Sequence, residues 1–435
     1  MQGPAAWNLL LGPRPDYAPL DGKVTADVVI VGAGFAGLSA ARRLRQLEPE
    51  ARILVLEAGR VAEGAAGRNS GFMIDLPHNL ASEDYAGDGD DSAMIALNRH
   101  AIEFAAEAVR EYQINSAYFD RAGKVNGTAS DGAHAFNETY AAHLSSLGEA
   151  SEMLDAAQMV ELTGSRFYRS GLYTPGTVML QPAGYIQGLA AGLSHEGIGI
   201  HEFSPVLAAD RDGTVWTVRT PHGAVSADRV ILTVNGHLDS FGFARGRLMH
   251  LFLFATMTPE LDTEALRALG GRSRWGVTPS DPMGTTVRRI DTAQGGNRIV
   301  TRTCAALRPD RAARPADLTR ARRVMQQKFD ARFPALAGME MEHSWAGHLC
   351  LTRNGVAVMR ELEPGLFSGC AQNGLGTTRG TLTGIGAAEL AAGTESAITR
   401  HFAAEAHPKR LPPQPIQEIG ANAVLRWKEW RARLE

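Results

Sequence analysis

The most constraining stretch of this chain is Asp27-Val-Val-Ile-Val31, followed at once by Gly32-Ala-Gly34-Phe-Ala-Gly37. An unbroken run of β-branched residues suits a strand buried on both faces of a parallel sheet. After the glycines, Leu38, Ala41 and Leu44 recur at helical spacing until Pro49 forbids continuation. Arg52-Ile-Leu-Val-Leu56 then reads as a second buried strand, ending in Glu57. Strand, glycine turn, helix, strand and terminal acid complete one βαβ unit.

That unit carries chemistry. A dinucleotide pyrophosphate needs close backbone approach, unpaired amides and a helix dipole, and Gly32, Gly34 and Gly37, with Phe35 and Ala36 between them, permit all three. Glu57 stands at the strand end, where its carboxylate can accept hydrogen bonds from ribose hydroxyls and disfavours a 2′-phosphate. The fingerprint alone leaves nicotinamide and flavin dinucleotides both open.

The 435 residues are too many for one ordinary core and suggest two or three domains. With 44 Lys+Arg against 47 Asp+Glu, the balance disfavours nucleic acid as the main partner, and the Arg-rich stretch from 308 to 332 also carries Asp310, Asp317 and Asp330. Cys304, Cys350 and Cys370 show no metal-like spacing, so no metal is expected, and reduced thiols in a cytoplasm are the default. No apolar run is long enough to span a bilayer, and the N-terminal stretch lacks a basic leader region, so neither membrane insertion nor secretion is expected.

Residues 59–71 are small and turn-rich and read as a binding loop. Helices are expected over about 91–112, 132–147, 182–195 and 318–329, and a hairpin over 215–219 and 224–226 leads to a buried strand at 229–234. Strand candidates at 251–256, 285–290 and 298–303 suggest a mostly antiparallel sheet. The Pro-rich stretch at Pro412, Pro413 and Pro415 precedes a terminal helix bearing Leu425, Trp427 and Trp430, read as docked on the body.

Several blocks together resemble the FAD-dependent D-amino-acid oxidase superfamily. They are Pro15-Asp-Tyr17, the strand and glycine turn from Val24, Leu56-Glu-Ala-Gly-Arg60, Gly64-Ala-Ala-Gly-Arg-Asn-Ser-Gly71, Val206, Val230-Ile-Leu-Thr-Val-Asn-Gly-His237, Trp345-Ala-Gly347 and Gly369 through Gly386. Within that superfamily the chain resembles most the gamma-glutamylputrescine oxidase, glycine oxidase and sarcosine oxidase branch. The resemblance implies an α/β (α+β) fold in which a Rossmann-like FAD-binding domain from 24–75, 150–240 and 346–395 is interleaved with a substrate domain. That second domain, from 76–149 and 241–345, is built on a mostly antiparallel sheet, with an N-terminal arm at 1–23 and a tail at 396–435.

By motif, Gly32, Gly34 and Gly37 would hold the pyrophosphate and Glu57 the ribose, with Ala58 and Arg60 beside it. Ala66, Gly67, Arg68, Asn69 and Ser70 would run past the pyrophosphate and ring. Val206 would meet the adenine, Asn235 and Gly236 would pack beside the cofactor, and Gly374, Leu375, Gly376, Thr377 and Thr378 would approach the polar edge of the ring. Where many relatives show Gly-His-Gly, this chain has Gly374-Leu375-Gly376. Cys350 lies near, without matching, the cysteine that some sarcosine oxidases link to flavin, so noncovalent FAD is expected.

The implied activity is oxidation of a C–N bond of a small amine or amino acid, primary or N-methylated, by hydride transfer to flavin. The imine is hydrolysed and molecular oxygen becomes hydrogen peroxide. A dehydrogenase passing electrons to a quinone or carrier protein, a non-catalytic flavin-binding subunit and a nicotinamide dehydrogenase are the alternatives. The guanidinium fork suits a substrate carboxylate. Arg288, Arg289, Arg298 and Arg302 all fall on the candidate sheet, Arg288 and Arg289 on opposite faces by alternation. Arg298 and Arg288 are the catalytic-site candidates, Arg298 because it falls near the oxygen-activating lysine of sarcosine oxidase. His78, His343 and His348 are candidate proton acceptors, and Trp345 is a core anchor. Oligomeric state is left open.

Overall fold

In the computed structural model, which describes residues 2–77, 90–281 and 283–435, the β-branched run forms the end of a ten-residue strand, β1 (Gly22–Val31). Val28 and Ile30 point into one apolar core and Val29 and Val31 into another, which is why the run contains no polar alternation. β1 lies between β2 (Ile53–Leu56) and β12 (Gly223–Leu232), parallel to both.

The first sheet runs β10 (Ala208–Asp212), β11 (Val215–Arg219), β12, β1, β2 and β9 (Gly199–His201), with β19 (Leu366–Cys370) alongside the end of β12 and β18 (Val358–Glu363) beyond it. The hairpin strand and buried strand expected at 224–226 and 229–234 are one continuous strand. β1 pairs with it along its whole length, from Gly22 opposite Gly223 to Val31 opposite Leu232, and holds it extended. On one face lie α2 (Phe35–Leu47), α3 (Asp91–Glu111), α6 (Pro182–His195) and α9 (Thr378–Ala391), which share one apolar core with the short α1 (Ala6–Leu9) and with α10 (Ala397–Ala404).

The second sheet runs β17 (His343–Thr352), β13 (Leu248–Met257), β16 (Arg298–Leu307), β15 (Thr286–Ile290), β14 (Trp275–Pro279), β5 (Lys124–Thr128), β7 (Ser170–Thr174) and β6 (Glu152–Leu154). Every pair in it is antiparallel except β5 with β14. β6 and β7 join this sheet although they fall in the 150–240 stretch that sequence order groups with the cofactor domain. A small third sheet of β3 (Phe72–Met73), β8 (Val178–Leu180) and β4 (Phe119–Asp120) sits between the two. Around the second sheet lie α4 (Asp131–Ser146), α5 (Ala156–Thr163), α7 (Thr263–Leu269) and α8 (Pro315–Arg332). α8 starts earlier than the periodicity suggests because Pro315 occupies its first turn, where a fixed φ is already helical.

α8 covers one face of the second sheet, its Ala321 and Met325 packing with Phe252, Phe254 and Cys304. The other face turns toward the first sheet: Ala255, Met257, Ile290, Val300 and Trp345 share the core that holds Trp7, Val28, Ile30 and Met73. The last element, α11 (Ile416–Arg431), lies against β16. Among the described residues no helix is long and apolar enough to cross a membrane.

α2 and α9 approach through glycine. A Cβ added at Gly384 would lie 2.1 Å from the Ala36 carbonyl oxygen. Gly384→Ala is expected to cost about 1–3 kcal/mol, as overpacking does, measured as a lower thermal midpoint than that of a control substitution at exposed Glu395.

Candidate functional site

The turn after β1 admits only glycine at two points. Gly32 adopts φ +105°, and a Cβ on Gly37 would stand 1.8 Å from the Gly32 carbonyl oxygen. At Gly34, by contrast, the nearest atom to an added Cβ is Ala66 Cβ at 3.7 Å. Gly34 is also the N-cap of α2, and no side chain caps that helix, so its first N–H groups are left for a ligand. Phe35 stacks on Tyr185 at 5.8 Å between centroids, and Ala36 packs on α9.

Glu57 accepts hydrogen bonds from Ala33 N (2.9 Å) and Gly59 N (3.0 Å). Burial raises its pKa, an effect opposed by these amides and by the N–H of Ala58. Beside it, the Arg60 guanidinium lies 5.5 Å from the centre of the Phe203 ring, and Val206 is partly buried against the first sheet's second core.

The loop predicted to bind is pinned from both sides. Gly67 packs so tightly that a Cβ would lie 1.7 Å from the Ala62 carbonyl oxygen. Asn69 donates to the Ala66 carbonyl (2.6 Å) and accepts from Gly71 N (2.8 Å), while its own carbonyl accepts from Trp7 Nε1 (2.9 Å). Arg68 donates to the Gly3 carbonyl (3.0 Å), and its carbonyl accepts from Trp345 Nε1 (3.0 Å). The Ser70 carbonyl accepts from Arg288 (3.0 Å).

A second glycine turn approaches the same loop. Ala371, Asn373 and Gly374 have φ values of +60°, +52° and +87°. Thr377 Oγ1 then donates to the Phe72 carbonyl (2.7 Å) and Thr378 Oγ1 to the Ile74 carbonyl (2.9 Å). α9 also begins without a side-chain cap, its first turn opening on the Leu375 carbonyl, and a Cβ at Gly376 would meet nothing within 4 Å. Two uncapped helix starts are thus packed together through Gly380 and Gly384, and the partial positive charge of each favours an anion.

Asn235 and Gly236 open a 3-10 turn on another side. Asn235 accepts a bond from Gln372 N (3.4 Å), while a Cβ on Gly236 would press on His348, Cys350 and His250. His348 belongs to a histidine cluster. Its Nε2 lies 3.3 Å from His250 Nδ1, His237 is 5.4 Å away ring to ring, and His250 Nε2 meets Asp239 at 3.0 Å, with Arg311 on the same carboxylate. Burial, then the neighbouring histidines and Arg311, push the His348 pKa down to about 3. His343 pairs with Glu342 at 3.7 Å. His78 lies outside the described residues. Among the described residues no group of His, Cys, Asp and Glu is arranged to hold a metal ion.

Strand register sorts the arginines. Arg288 faces the first sheet, donating to the carbonyls of Ser70 (3.0 Å) and Leu180 (2.6 Å) and to Gln294 (3.2 Å), and burial lowers its pKa to about 9. Arg289 points the other way, to the Gly270 carbonyl. Arg298 is taken up by Glu342 and the Thr258 carbonyl.

Arg302 differs from all three. It stands in a cross-strand row with Thr286, Ala255 and Trp345. Trp345 of that row bonds the Arg68 carbonyl, so the row faces the loop of residues 59–71. Among the described residues Arg302 has no hydrogen-bond or ion-pair partner, and neither has the buried Thr286 Oγ1. Arg302 is only partly accessible, and desolvation alone lowers its pKa to about 10. Sequence reading placed Arg302 on the sheet but could not rank it above its neighbours. The missing signal is the carboxylate and carbonyl partners that occupy the others.

The chain belongs to the FAD dependent oxidoreductase (DAO) family, whose profile matches residues 27–390. It is 25% identical over 401 residues to a probable oxidoreductase OrdL of Rhizobium meliloti, covering 88% of this chain and 87% of that protein. It is likewise 25% identical over 407 residues to gamma-glutamylputrescine oxidoreductase of Escherichia coli, covering 87% of each. Its fold matches glycine oxidase from Geobacillus kaustophilus with a TM-score of 0.72 at 17% identity, over 89% of this chain and all of that one. L-amino acid deaminase from Proteus myxofaciens matches with a TM-score of 0.70 at 15% identity, over 90% and 95%.

The protein is therefore an FAD-dependent oxidoreductase, and the residues around the two helix starts fit FAD. The fit lies in two uncapped helix starts for phosphates and the ring's polar edge, an acid at the strand end for a ribose, and glycines with space where side chains would stand.

Glu57→Ala is expected to weaken FAD binding by about 1.5–3 kcal/mol, the range for a hydrogen bond to a charged group, read as flavin lost on dialysis that the parent protein retains. In the histidine cluster, the unfolded chain binds more protons than the folded one between His348's ordinary pKa and about 3. The stabilisation is full above about pH 6.5 and falls by up to about 1.4 kcal/mol per pH unit below it. His348→Phe should flatten that acid limb in a plot of melting temperature against pH.

Proposed function

We propose that this enzyme oxidises the C–N bond of a small amine that carries an anionic group, an amino acid being the simplest case, with molecular oxygen as acceptor. The unpartnered Arg302 guanidinium carries the reading: a desolvated cation facing the cofactor loop needs an anion, and its planar fork suits a carboxylate. FAD, when bound, takes the hydride equivalent from the carbon bearing nitrogen.

The chain's own residues do the rest. Arg302 holds the carboxylate, and Ala255 and Trp345 wall the row on its other side and keep water out. Gly32, Gly34 and Gly37 would hold the pyrophosphate of FAD and Glu57 its ribose, while Gly374 to Thr378 would meet the polar edge of its ring. Arg288, tied to Ser70 and Leu180, positions the loop rather than the substrate.

Cofactor binding is noncovalent. Cys350 is two residues from His348 on the same side of β17 and three from Gly347, so it lies on the face opposite the one that looks at Arg68. Burial also raises the Cys350 pKa, which keeps the thiol protonated and unreactive. Three buried free cysteines support a cytoplasmic setting. The names of the relatives, a gamma-glutamylputrescine oxidoreductase and a glycine oxidase, support an amine or amino-acid substrate.

Arg302→Met should lower kcat/KM for the carboxylate-bearing substrate by about 2–5 kcal/mol, the cost of stranding one partner of a buried charge pair, and most of the loss should appear in KM. The anchor works only as a cation, so KM should be flat at neutral pH and rise as pH climbs through about 10. An unchanged KM in the variant would remove Arg302 from the site, and a peroxide yield well below one per turnover would remove oxygen as acceptor.

A further inference from the structure

The terminal helix is docked the wrong way round for an ordinary amphipathic helix. Beyond its pairing with β15 at residues 298–302, β16 has a free edge. α11 covers that edge with polar side chains. Asn422 accepts from Leu307 N (3.0 Å) and donates to the Leu307 carbonyl (3.2 Å). Glu429 accepts from Ala305 N (2.9 Å) and Arg426 donates to the Ala305 carbonyl (2.6 Å). Its carboxylates are consumed by the same contact: Glu418 pairs with Arg308 and Arg314, and Glu429 with Arg320 and Arg426.

The apolar side of the helix is consequently turned to solvent. Ile416, Ile419, Val424, Trp427, Trp430 and Leu434 are 64%, 68%, 52%, 51%, 60% and 59% exposed. At about 100° per residue the five within α11 fall on one face, and Leu434 follows in the 3-10 turn beyond its end. Lys428, Arg431 and Arg433 border the stripe, and among the described residues none of the three is in an ion pair. The Arg431 and Arg433 guanidinium groups lie over the Trp427 and Trp430 rings at 5.0 and 4.4 Å.

We propose that this face of α11 docks the enzyme on an anionic bilayer surface. Tryptophans in an apolar stripe edged by unpaired cations have the composition of a helix lying in the lipid interface, the rings at headgroup depth and the cations on lipid phosphates. The charge complements an anionic membrane, because every carboxylate of the helix is already committed inward. A second copy of the chain fits less well. A helix of this length is about 24 Å long and 10–12 Å across, so its outward face falls short of the roughly 800 Å² per partner of a stable dimer, and two copies would bring like charges together.

The test uses the full chain carrying its flavin, floated with vesicles of phosphatidylcholine alone or mixed with phosphatidylglycerol, at low and high salt. Trp427→Ser combined with Trp430→Ser removes the two rings, and Ile419→Ser provides a second variant should the pair impair folding; retained flavin absorbance and melting temperature are the controls. The expected result is flotation with the anionic vesicles only, lost at high salt and weakened by about tenfold or more in the variants. Wild-type protein that stays with the soluble fraction, or variants that float as well as the wild type, would overturn the proposal. So would a wild-type dimer that the variants convert to monomer, since a second copy would then cover the stripe.

Discussion

The approach of Gly37 to Gly32 is the constraint from which the site follows. With only 1.8 Å between the Gly32 carbonyl oxygen and the place a Cβ would take on residue 37, α2 can begin directly over the end of β1 and leave its first amides bare. The same helix then meets α9 through Gly380 and Gly384, which brings a second bare helix start beside the first. Phosphate-sized anions are favoured there by dipole and by donor count together, and the acid that ends β2 stands within reach of Ala33 in the same turn.

The opposing wall depends on the pinned loop. Trp7, Trp345 and Arg288 each hold a carbonyl of residues 68–70, so the loop is gripped by the N-terminal arm and the second sheet at once. This fixes the distance between the sheet face that carries Arg302 and the helix starts that fit FAD. Preorganisation of that kind lets an unpaired arginine persist, and in the proposed function its hydrogen-bonding capacity is kept for the substrate's anionic group. A desolvated cation without a partner is costly to a fold, and that cost makes Arg302 more informative than the better-satisfied arginines around it.

Much of this was legible in sequence, for specific physical reasons. The β-branched run, the glycine spacing and Glu57 are local signals, and the βαβ unit they predict is β1, α2 and β2. Alternation separated Arg288 from Arg289 correctly, since strand period alone decides it. Partner choice was not legible. A rough match to a relative points to Arg298 in the sequence, and only the folded chain reveals the Glu342 carboxylate beside it, 44 residues on. The terminal helix was rightly read as docked, but its orientation depends on the free edge of β16, which no local pattern in residues 416–431 announces.

The central claim is that bound FAD is reduced by an amine held through its anionic group. The most direct measurement is an anaerobic titration of the oxidised protein with a panel of amino acids and, for each, the matched amine lacking the carboxylate. The account predicts bleaching of the flavin's visible absorption by one of the amino acids, at concentrations where its decarboxylated counterpart leaves the spectrum unchanged. Equal bleaching by both members of that pair would contradict it.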